Sequence, residues 1–90
     1  MCGVASPRYA YVLAVALHDS GSRAEALTVL ERAHFHHPGD PDLLAALASY
    51  NHERGDLARA RLYAERLLAL DPEDPGARAL LAQVSRAPTH

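Results

Sequence analysis

Residues able to do chemistry are few in this sequence, and most lie in three small clusters. The densest is His34, Phe35, His36 and His37. On a helix His34 and His37 stand three apart, close enough to share a metal ion, and imidazole is the commonest metal ligand. Two nitrogens are too few for a site, so Cys2 or a carboxylate would have to join them from elsewhere. No metal and no cofactor is therefore expected. The favoured reading is a seam of rings at a helix end, where a charged imidazole also suits the C-terminal dipole. In that seam His36 is expected to be partly buried and to weaken the packing as it protonates near about pH 6.

The other two clusters are His18-Asp19 and His52-Glu53. Neighbouring residues on a helix do not face each other, so neither pair makes a dyad by itself. There is no Ser- or Cys-centred elbow and no Gly-rich phosphate loop following a strand. No catalytic residue is expected, and the chain is read as a non-enzyme. Cys2 is the lone cysteine, which rules out an intrachain disulfide and a Cys-based zinc site.

The elements that must position these residues announce themselves by spacing. Ser6-Pro7, Asp40-Pro41 and Asp74-Pro75 each set a helix-capping side chain before a proline, at intervals of 34. The same step links Pro38 to Pro72, Gly21 to Gly55, Ala26 to Ala60 and Leu13 to Leu47, and also the two His-acid pairs. A constant period of this size means a repeat architecture. The spacing predicts five helices, over about 7–20, 22–37, 41–54, 56–71 and 75–86. Gly21 and Gly55 end the first and third, and Ser22 with Glu25 forms a capping-box pattern for the second. Residues 1–6 read as a ragged start, 7–40 as a first repeat, 41–74 as a second, 75–86 as a capping helix and 87–90 as a frayed tail. With short turns the fold class is all-α, a right-handed solenoid of antiparallel helical hairpins.

Bulk composition narrows the partners. Ninety residues make at most one domain, and 49% hydrophobic with 22% charged is globular. A net charge of -2, with nine Arg interleaved among acids, argues against nucleic acid. No apolar run nears the roughly 18 residues that span a bilayer, so no membrane is expected. Eighteen Ala beside nine Arg and no Lys read as GC-rich coding, without functional content. The compartment stays open, cytoplasmic by default.

At Leu13, Gly21, Ala26, Ala33 and Pro38, then Leu47, Gly55, Ala60 and Pro72, with Leu81 and Ala82 in the last helix, the chain resembles the tetratricopeptide repeat family. The match covers about residues 7–86, two and a half repeats. The usual first aromatic is replaced by Ala10 and Leu44, and the later tyrosine by Leu17 and Asn51, which is expected beside the groove. The resemblance implies a protein-interaction scaffold whose first helices line a concave groove. It places Arg8, Tyr11, Val15 and His18 there, then Asp42, Ala45, Ser49 and His52, then Ala79 and Gln83. With no Lys and one Arg in that stripe, a carboxylate clamp for a peptide tail is not expected.

The function expected is docking of a protein or peptide partner in that groove, in the C-terminal part of a larger protein. Residues 10–17 are apolar on every face, unlike a terminal surface helix. Further repeats ahead of Pro7, or a second copy covering residues 9–17, would explain this. Self-association is the alternative role. The other is that of an accessory tail to a larger enzyme or metal protein.

Overall fold

The computed structural model describes residues 6–86, and the side chains of 6–84. The segments 1–5 and 87–90, with Cys2, lie outside the described residues. Five helices follow one another: α1 (Pro7–Asp19), α2 (Arg23–His36), α3 (Pro41–Glu53), α4 (Leu57–Leu70) and α5 (Pro75–Arg86). Among the described residues there is no strand.

Their starts follow from the caps. The Ser6 hydroxyl accepts from the Tyr9 N–H at 3.1 Å, so Ser6 is the N-cap of α1. Asp40 Oδ1 accepts from Leu43 N–H at 3.1 Å, and Asp74 Oδ1 from Ala77 N–H at 2.9 Å. Asp56 does the same for Arg59 at 3.1 Å. Each side chain satisfies an orphan donor of the first turn. The capping box at Ser22 does not form, since its side chain makes no cap bond. The Ser22 N–H is already bonded to the Leu17 carbonyl at 2.8 Å, so Glu25 has no donor to reach back to.

That bond belongs to a turn built twice. Gly21 N–H donates to His18 and Ser22 N–H to Leu17. One repeat further on, Gly55 N–H donates to His52 and Asp56 N–H to Asn51. Such closures need a left-handed residue, and Gly21 and Gly55 supply it at φ 95° and 85°. The first four helices are shorter than the spacing predicts because their cap residues leave helical geometry. His37 and Asp71, for example, stand at φ -134° and -141°.

Alanine at matched places lets the helices nest. Ala14, Ala26, Ala60 and Ala64 are fully buried, and Leu30, Leu43, Leu44 and Leu47 fill the space beside them. Leu13, expected to pack as Leu47 does, is only half-buried. α1 packs on α2, α3 on α4 and α4 on α5, with α2 against α3 joining the hairpins. The backbones of α1 and α3 approach each other, as do those of α3 and α5, whereas those of α2 and α4 do not, and side chains such as Glu31–Arg59 and His34–Arg66 bridge them. Closer spacing on the α1–α3–α5 side makes that the inner side of a curved, elongated stack of 46 × 28 × 17 Å.

Candidate functional site

The inner face is built on α3, the central helix. Leu43, Leu44, Ala46, Leu47, Ala48 and Asn51 are all buried against its neighbours. One stripe stays accessible along its length: Asp42, Ala45 and Ser49 are exposed, and His52 is half-buried. The spacing of three and four residues places them on one face. Between α3 and α5 this stripe opens onto a hollow of about 270 Å³. Ala45 and Ser49 form its floor on one side, Ala77 and Leu80 on the other, and Asp74 stands at its edge. A Cβ at Gly76 would sit 3.3 Å from Asp74 Oδ1, crowding the carboxylate that caps α5.

From α1 come Arg8 and Tyr11, both exposed, and Val15 and His18, both half-buried. Gln83 and Ala79 of α5 are exposed but do not line the hollow. The structure thus brings Ala45 and Ser49 together with α5. His18 serves another contact: its Nε2 lies 2.7 Å from Glu53 Oε1 of the next repeat, and its ring stacks on Tyr50 at 4.0 Å and 9°. Asp19 Oδ1 stands 3.7 Å from Nδ1. Tyr50 carries no signal in the sequence that singles it out. Burial raises its phenol above the ordinary value, and the neighbouring Tyr11, Asp19 and Glu53 add to that, so it stays neutral.

Around this clasp, where α1, α2 and α3 converge, lies a second cleft of about 370 Å³. Arg23, Glu31 and Arg54 rim it with charge of both signs. The interval from His18 to Glu53 is one position more than the repeat, and that signal could have revealed the pairing. The ring stack is not built again at His52, because Val84 of α5 takes the place of Tyr50.

Asn51 corrects the expectation that it lies beside the groove. It is fully buried, donating from Nδ2 to the Leu47 carbonyl at 2.8 Å and accepting from Arg54 at 3.2 Å. A buried amide is tolerated because both ends find partners.

The histidine cluster divides. His34 is half-buried on α2, with its ring edge-on to Tyr63 at 5.6 Å and its Nε2 3.3 Å from the Arg66 guanidinium. Arg66 can only donate, so a neutral ring in this contact accepts at Nε2 and carries its proton on Nδ1, which is buried without a partner. Burial, then the Arg66 charge, lowers the His34 pKa below the ordinary imidazole value of 6.5. His36, expected to be partly buried, is exposed, and Phe35 is 80% exposed beside it. A helix presents only one of two neighbouring positions to the core, and here His34 and His37 take it. Among the described residues no three ligand-type side chains converge on a metal position.

Comparison with known families matches the tetratricopeptide repeat at residues 7–50 and again, overlapping, at 41–84. No curated protein matches the chain.

Proposed function

The chain belongs to the tetratricopeptide repeat family, whose arrays generally mediate protein–protein interaction, and on that premise we propose that it docks a peptide or partner helix on the inner face of α1, α3 and α5. The observation carrying this reading is the accessible stripe Asp42, Ala45, Ser49 and His52 on an otherwise covered helix, opening onto the hollow beside Leu80. Small side chains at Ala45 and Ser49 make a floor that an apolar anchor can approach closely. Tyr11 offers a rigid amphipathic surface at low entropic cost. Arg8, Asp42 and His52 supply polar register at the edges, while His18 is held by Glu53 and acts on the wall instead. Family membership favours a non-catalytic module. No described helix is long and apolar enough to cross a membrane.

The test is affinity capture with the parent beside a Tyr11→Ala/His52→Ala variant. Partners of the parent should be depleted from the variant. Equal recovery by both removes the inner face from consideration.

A second reading is favoured by one observation on α1. Tyr9 and Val12 are 60% and 57% exposed, yet their counterparts in the next repeat, Leu43 and Ala46, are buried. Where α3 has α2 lying over this face, α1 has nothing over it among the described residues. We infer that this face associates with a second copy. Mass measured across a dilution series should then show a dimer that Val12→Arg abolishes. A parent mass that holds at the monomer value over the whole range would refute it.

A further inference from the structure

We propose that His18 and His34 make the joint between the two repeats answer to pH, holding the α1–α3 side more firmly and opening the α2–α4 side as the solution is acidified. The two histidines sit on opposite faces of one joint and at opposite ends of it. His18 is one residue from the end of α1, beside the last turn of α3. His34 is near the end of α2, at the far end of the antiparallel hairpin, facing α4.

Their partners carry opposite charge. From α3, His18 meets the Glu53 carboxylate and the Tyr50 ring, and from its own helix Asp19. Arg23, Glu31 and Arg54 face it across the cleft at greater remove. Protonation turns the 2.7 Å contact with Glu53 into a charge-assisted bond and adds a cation over the Tyr50 face. His34 meets Arg66 and Tyr63 from α4. Protonation at Nε2 removes the only acceptor Arg66 has there and sets two cations about 3.3 Å apart. The depressed pKa of His34 agrees with that cost.

The backbone permits the motion. α2 and α4 have no close main-chain approach, and at the His34 end the His34–Arg66 and His34–Tyr63 contacts link them, with the Arg59–Glu31 pair at 3.7 Å further along. Arginine and glutamate keep their charges across the range in which imidazole titrates, so this pair stays as the pivot. Opening one side while the other stays held rotates the second repeat on the first, a change of packing rather than a melting.

Spin labels at Arg32 of α2 and Ala69 of α4, on a Cys2→Ser background, read the outer side directly. Between about pH 8 and the pH at which the His34 ring protons show its titration complete, the distance should lengthen by about 1–2 Å, the size of helix shifts at packed interfaces. His34→Leu, which installs the residue type of its counterpart Leu68, and Arg66→Met should each abolish the lengthening. Circular dichroism checks that each variant is helical, and if one is not, the other decides. NMR of the ring protons follows both titrations in the same samples. An unchanged distance in the parent while both rings titrate overturns the proposal, as does equal lengthening in either folded variant.

Discussion

The repeat provides its own control for a stability prediction. Leu13 and Leu47 occupy one slot in successive repeats, but Leu47 is fully buried and Leu13 only half-buried. Leu→Ala removes three carbons. At about 0.8 kcal/mol per buried methylene the transfer loss for Leu47→Ala is about 2.4 kcal/mol, and an unrelaxed cavity brings it to about 3–4 kcal/mol. Leu13→Ala loses part of the transfer term and leaves no closed cavity, so it should cost about 1–1.5 kcal/mol. A 90-residue chain has about 5–13 kcal/mol in all, so both variants should remain measurable by urea unfolding in the cold. The midpoint should fall about two to four times further for Leu47→Ala, at unchanged slope. Equal losses at the two positions would refute the account of α1 as a helix covered on one side only.

Two further predictions test the turns and the seam. Gly55→Ala should cost about 1 kcal/mol in urea unfolding. An added Cβ meets nothing within 4 Å, leaving only the left-handed φ of 85° to penalise, offset in part by a stiffer unfolded chain. A loss above about 3 kcal/mol would mean the turn is more tightly packed than this. For the seam, the His34 pKa is lowered in the folded state, so its contribution is present above the ordinary value of 6.5 and is lost as pH falls below it. His34→Leu should flatten that part of the stability profile, and a variant profile as steep as the parent's would refute the assignment.

Legible in the sequence is whatever the period repeats. Ser6, Asp40 and Asp74 cap helices where the spacing puts them, and Gly21 and Gly55 take matched left-handed turns. Position relative to a neighbouring helix is harder to read. Asn51 suggests a groove residue because amides favour surfaces, but local bonds to Leu47 and Arg54 let it occupy a core slot. The capping box at Ser22 is lost to a competing backbone bond that no side-chain pattern reveals. His36 defeats the sequence reading because four consecutive residues, three of them His, do not show which face of the helix turns inward. The His18–Glu53 contact is hidden because each residue has a neighbour in sequence, Asp19 and His52, that draws attention first.

The central claim is that the inner stripe of α3 is where a partner binds. Peptides selected from a random display library on the immobilised protein can be measured against two variants, each adding one arginine at an exposed position. Ala45→Arg fills the floor of the hollow, and Leu62→Arg lies on α4, away from it. The account predicts an affinity loss of about tenfold or more, roughly 1.4 kcal/mol, for Ala45→Arg and no change for Leu62→Arg. Peptides that ignore Ala45→Arg and are lost with Leu62→Arg would contradict it.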